Sequence, residues 1–111
     1  MIGRIQSRSA FLQVRQKGVH VRSGPLSCTM FPDASLPVPQ VGYALGRSYG
    51  SAVRRNRLRR QLRELVKVRE SALVPGVYVF GASPRAGGYS FEDLGRHVDQ
   101  LLVKCVEGRQ S

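Results

Sequence analysis

Gly46-Arg47-Ser48-Tyr49-Gly50-Ser51-Ala52-Val53-Arg54-Arg55-Asn56-Arg57-Leu58-Arg59-Arg60-Gln61-Leu62-Arg63-Glu64-Leu65-Val66-Lys67-Val68-Arg69 decides how the rest of this chain is read. From Arg54 to Arg69 eight of sixteen residues are Arg or Lys, yet Leu58, Leu62 and Leu65 recur at i, i+4 and i+7. That spacing lays the leucines, with Val66 beside them, along one stripe of an α-helix. At about 100° per residue, Arg59, Arg63, Asn56, Lys67, Arg60 and Arg57 fall in an arc of roughly 160° on the other side. Arg54 and Arg55 flank the apolar stripe, where their stems can lie along it while the guanidinium groups reach outward. The run is therefore a helix with an apolar stripe and a basic strip.

A helix face that serves only solubility mixes signs in i, i+4 pairs. Here Glu64 and Glu70 stand against eight cations, seven of them arginine. Such repulsion is relieved by a polyanion. The planar guanidinium fork, suited to bidentate phosphate contacts and to stacking on bases, makes that polyanion a nucleic acid. Arg47, in the loop leading to the helix, extends the strip. Gly46 and Gly50 at the ends of this loop are expected to let backbone amides approach a phosphate.

The whole chain agrees with this reading. Its 111 residues suit one domain spanning 1–111, with an ordered core of about 7–106, and the net charge of +11 is concentrated in the run just described. A membrane-surface helix would set bulky residues, often Trp, against the basic face, and the chain has no Trp. No apolar segment of secretory or membrane-spanning length is present, so a cytoplasmic location and no membrane partner are expected. Cys28 and Cys105 form no CxxC pair, which argues against zinc or a disulfide framework and for two buried thiols in a reducing compartment.

Ahead of the basic run, residues 8–17 read as a short helix, with Ser7 or Ser9 as its cap and Gly18 ending it. Phe11 and Val14 share a face. Phe11 reads equally as a core residue or as an aromatic at the edge of a cleft, stacking on an unpaired base. Val19 to Val21, Leu26 to Phe31 and Val41 to Leu45 read as strands, joined between the last two by the Pro-rich stretch 32–39. These three strands suggest an antiparallel meander.

Beyond the basic run, the helix must stop before Pro75, near Ser71 or Leu73. Val77-Tyr78-Val79-Phe80 is apolar throughout, as a buried central strand requires. Ser90-Phe91-Glu92-Asp93 reads as a helix cap, followed by Phe91, Leu94, Val98, Leu101, Leu102 and Cys105 on one apolar face. His97 on this helix reads as surface, and the tail after Glu107 as frayed. The order helix, three strands, helix, strand, helix belongs to the α+β class, as one sheet with helices packed on it.

Catalytic chemistry is harder to find. The seven acids form no metal-binding cluster near the basic strip, and His20 and His97 lack partner spacing. Gly46-x-x-x-Gly50 lacks the Lys-Ser/Thr of a Walker-type loop. The residues describe a binder. A structural ribosomal or general RNA-binding protein would share these features.

The run Gly50-x-Ala52-Val53-x-Arg55-Asn56-Arg57-x-Arg59-Arg60-x-x-Arg63-Glu64 resembles the signature of the bacterial ribonuclease P protein subunit, with ten positions matched in fifteen. Phe11-x-x-Val14 before Gly18, Val41-Gly42 and Tyr78-Val79-Phe80 resemble that family's first helix, third strand and fourth strand, in family order. The resemblance implies a ribosomal protein S5 domain 2-like α+β sandwich with a left-handed crossover through the basic helix. It implies a subunit that joins a catalytic RNA and promotes removal of the 5′ leader from precursor tRNA. The centre of hydrolysis, and Mg²⁺, would be held mainly by that RNA, and no DNA partner is expected.

Residue by residue, the resemblance places Arg55, Asn56, Arg57, Arg59, Arg60 and Arg63 against the catalytic RNA. Phe11 would lie in a cleft for the single-stranded leader, with Thr29 and Arg47 at positions open to leader contacts. Four positions depart from the family pattern. A Lys-Lys pair is Arg47-Ser48 here, an aromatic one turn after Phe11 is Arg15, an acid before the fourth strand is Gly76, and an Arg near its end is Ala82. Arg15 in the cleft would offer a guanidinium platform in place of a ring.

Overall fold

Val77-Tyr78-Val79-Phe80 lies at the centre of the sheet in the computed structural model, which describes residues 2–5 and 8–110. The chain runs through β1 (Gly3–Arg4), α1 (Arg8–Lys17), β2 (Val19–Ser23), β3 (Leu26–Pro32), β4 (Gln40–Ala44), α2 (Ala52–Lys67), β5 (Gly76–Ala82) and α3 (Phe91–Gln110). Short 3-10 turns at Arg47–Tyr49, Glu70–Ala72 and Pro84–Gly88 join these elements. The five strands lie in the order β1-β4-β5-β3-β2. The result is the expected α+β sandwich, with one short strand, β1, added at the edge.

β5 carries the core on both faces. Val77 and Val79 meet Val14 of α1 on one side, with Phe11, Phe31 and Ile5 packed around them. Tyr78 and Phe80 meet Leu58, Leu62 and Leu65 of α2 and Leu94, Val98 and Leu101 of α3 on the other. A strand apolar on both faces loses least when helices cover both, which draws β5 to the middle. This overturns the expected meander. β2 and β3 form an antiparallel hairpin, but β5 inserts antiparallel to β3 and parallel to β4. The stretch 33–39 therefore carries the chain past the central position, and β4 returns to it only through α2.

The hairpin turn requires glycine at Gly24. Its φ is +56°, and a Cβ there would lie 2.5 Å from the His97 ring. The neighbouring Ser23 is buried and its hydroxyl bonds to His97 Nδ1 at 2.8 Å and donates to Gln100 Oε1. Tyr89 adds an edge-on ring contact to the same imidazole. His97 is thus a half-buried tie between the hairpin and α3, where the sequence suggests plain surface.

The helix ends follow capping chemistry. The Ser51 hydroxyl accepts from the Arg54 amide at α2, and the Ser90 hydroxyl accepts from the Asp93 amide at α3. Gly18 closes α1 through its amide to the Val14 carbonyl at 2.9 Å. Ser7, one of the two caps considered for α1, lies outside the described residues. Phe91 departs from the expected apolar face: it is 44% exposed, whereas Leu94, Val98, Leu101, Leu102 and Cys105 are buried. α3 also continues past Glu107 to Gln110, where a frayed tail is expected.

Cys28 and Cys105, distant in sequence, are both buried and free. Their thiols share a hydrogen bond, which together with burial holds Cys28 well above its usual range.

Candidate nucleic-acid interface

α2 is sided as its sequence requires. Leu58, Leu62, Leu65 and Val66 are buried, whereas Arg54, Asn56, Arg57, Arg60, Arg63 and Lys67 are exposed and Arg55 and Arg59 half-exposed. The basic strip therefore faces outward from the folded domain. Two of its arginines are held in place. Arg54 lies over the Tyr49 ring, 5.4 Å from its centroid. Arg59 Nη1 donates to Asn56 Oδ1 at 2.7 Å, so Asn56 orients a cation as well as sharing its surface.

The loop before α2 differs from expectation in one respect. Arg47 is exposed in a 3-10 turn, but the amides of Tyr49 and Gly50 donate to the carbonyls of Gly46 and Arg47. Two amides that a phosphate could have used are thus engaged within the turn. Gly50, at φ +152°, makes the bend that admits this geometry.

A cleft of about 510 Å³ opens beside α1. Phe11, Arg15 and Thr29, the three cleft residues proposed from sequence, all line it, whereas Arg47 does not. Phe11 is placed both at the core and at the cleft edge. It packs on the Val14, Val77 and Val79 cluster and leaves one side to the cleft.

Three more cleft residues were not legible as site residues: His20, Arg22 and Arg85. His20 Nδ1 and Thr29 Oγ1 are 2.8 Å apart across the β2–β3 pair. Arg22 Nε donates to His20 Nε2 at 3.5 Å. The i, i+2 spacing of His20 and Arg22 puts both on one face of β2, but only the folded sheet brings that face to the cleft and to Arg85. Ser83 also lines the cleft, and its hydroxyl is buried without a hydrogen-bond partner.

A second groove, of about 730 Å³, runs between α2 and the β1–β4 edge. Arg59, Arg63 and Lys67 form one wall, and Tyr43 lies in its floor. Burial pushes the Tyr43 phenol up to about 12, against the opposing pull of Arg63.

For a metal, the described residues offer no group of three or more His, Cys, Asp or Glu side chains close enough to hold one. Among the described residues no helix is long and apolar enough to cross a membrane.

This geometry has known counterparts. The family model described as Ribonuclease P matches residues 3–106. A ribonuclease P protein component of Acidothermus cellulolyticus is 40% identical over 81 residues, covering 71% of this chain and 67% of that protein. One from Streptomyces bikiniensis is 38% identical over 91 residues, covering 81% and 73%. In fold, the chain is similar to a Staphylococcus aureus RNase P protein mutant, with TM-score 0.82, 21% identity, and 89% and 84% of the two chains covered. The RNase P protein of Thermotoga maritima gives 0.79 at 20% identity, covering 89% and 94%. A match to the family model from Gly3 to Val106, over the same sheet and helices that present the basic strip, means that this chain belongs to the ribonuclease P protein component family.

Proposed function

We propose that this chain binds the catalytic RNA of ribonuclease P and the 5′ leader of precursor tRNA, promoting RNA-catalysed removal of that leader. The observation that carries the reading is the sidedness of α2: its leucines are buried in the core while its arginines stand outside. Arg47, Arg54, Arg55, Asn56, Arg57, Arg59, Arg60, Arg63 and Lys67 would neutralise phosphates of the RNA and fix its register. The α1 cleft would take the single-stranded leader, with Phe11 stacking on a base and Arg15 and Thr29 on its backbone. Mg²⁺, held mainly by the RNA, would supply activation of water and stabilisation of the leaving oxygen. The protein's own contribution is to bind and orient.

Reconstitution tests this. The chain alone should leave precursor tRNA intact, and with ribonuclease P RNA it should stimulate leader removal most at low Mg²⁺. Equal cleavage with and without the chain across a Mg²⁺ titration would overturn the reading. Retention by ribosomal RNA with no preference for leader-bearing tRNA would point instead to a general RNA-binding role.

A further inference from the structure

The groove between α2 and the β1–β4 edge combines an apolar floor with a cationic rim. Tyr43, Ile2 and Ile5 lie in it beside Arg4, Arg59, Arg63 and Lys67, with Glu70 as the acid among its lining residues. Its volume of about 730 Å³ is within the range of pockets that enclose a whole small ligand. It shares no lining residue with the α1 cleft.

Tyr43 is suited to be a platform. Its ring is half-buried and backed by Phe80, with centroids 6.0 Å apart and planes 24° from parallel. A ring fixed from behind loses little freedom when a base stacks against it. The phenol, pushed up to about 12, is neutral at physiological pH and presents no charge against a phosphate.

The geometry points to this groove as a subsite for one unpaired nucleotide of the partner RNA, its base against Tyr43 and its phosphates on Arg59, Arg63 and Lys67. The inference rests on the RNA-binding reading above and adds a specific pocket to it. Arg59, Arg63 and Lys67 belong both to the basic strip and to the groove wall, so an RNA engaged on the strip passes the groove mouth. A free inorganic anion would leave the apolar floor unused. A nucleotide uses both halves.

Base-specific chemical probing of ribonuclease P RNA, with dimethyl sulfate and a carbodiimide, tests the subsite. Wild type and Tyr43→Phe should protect one unpaired base that becomes reactive with Tyr43→Leu, and Tyr43→Leu should weaken binding about 5- to 150-fold. A thermal melt of Tyr43→Leu checks that the fold persists. Arg63→Gln, at an exposed position, should expose the same base without depending on packing. If wild type binds the RNA but no base protection depends on Tyr43 or Arg63, the subsite is overturned and the broader reading stands. If wild type does not bind the RNA at all, the broader reading falls and takes the subsite with it.

Discussion

Arg69 Nε lies 2.5 Å from Asp99 Oδ1, joining the turn after α2 to the middle of α3. Its Nη1 donates to the Leu65 carbonyl at 3.0 Å, satisfying an acceptor at the end of α2. Counted by charge alone, Arg69 belongs with the seven other cations of the run; its position on the wheel is with the leucines. It is a structural arginine in a binding sequence.

Arg69→Ala should therefore lower stability by about 1–2 kcal/mol, with Asp99→Ala costing less, since the carboxylate is the more exposed partner. RNA affinity should change little for either. Urea unfolding and an RNA-binding titration check the two halves, and a large affinity loss with Arg69→Ala would place it in the strip after all.

Arg60→Ala should behave in the opposite way, because Arg60 is exposed on the outer arc. If about six cations each neutralise one single-strand phosphate, raising salt from 50 to 200 mM weakens binding roughly 300-fold. Removing Arg60 should reduce the slope of log affinity against log salt by about 0.7. The melting temperature should stay where it is.

Phe11→Ala should cost about 1–3 kcal/mol in binding a precursor tRNA, with little salt dependence, and reduce discrimination against mature tRNA. Affinities for the two tRNAs, measured with the RNA subunit present, decide it. Equal loss for both would assign Phe11 to the core alone.

Leu62→Ala, at a fully buried position beneath the strip, should destabilise the domain by about 2–5 kcal/mol. Denaturant midpoints measure this. A loss under 1 kcal/mol would mean that α2 is not seated on the sheet as described.

Tyr43 sets a pH dependence. Its folded value of about 12 lies above the ordinary 10, so folding favours the protonated phenol. That contribution is complete below pH 10 and is lost as pH rises from 10 toward 12. Unfolding free energies across this window should fall less steeply in Tyr43→Phe than in wild type, and parallel curves would contradict the assignment.

The residues differ in how far they announced these roles. α2 was legible because helix geometry is local: once Leu58, Leu62 and Leu65 share a stripe, the arginines between them must face elsewhere. Phe11, Arg15 and Thr29 were legible as a cleft through family resemblance, and the structure brings all three to one cleft. His20, Arg22 and Arg85 were not, since β2, β3 and the turn after β5 meet only in the folded sheet.

By itself, then, the sequence determined the sidedness of α2, the two-faced burial of β5 and the concentration of positive charge, all properties of periodicity and composition. Tertiary structure alone decided that β5 enters between β3 and β4, that Arg69 turns inward to Asp99, and that Tyr43 forms the floor of a basic groove. The physical reason is range. Neighbours three or four residues apart follow from the backbone's own geometry, whereas strand order and long-range side-chain partners follow from packing the whole chain at once.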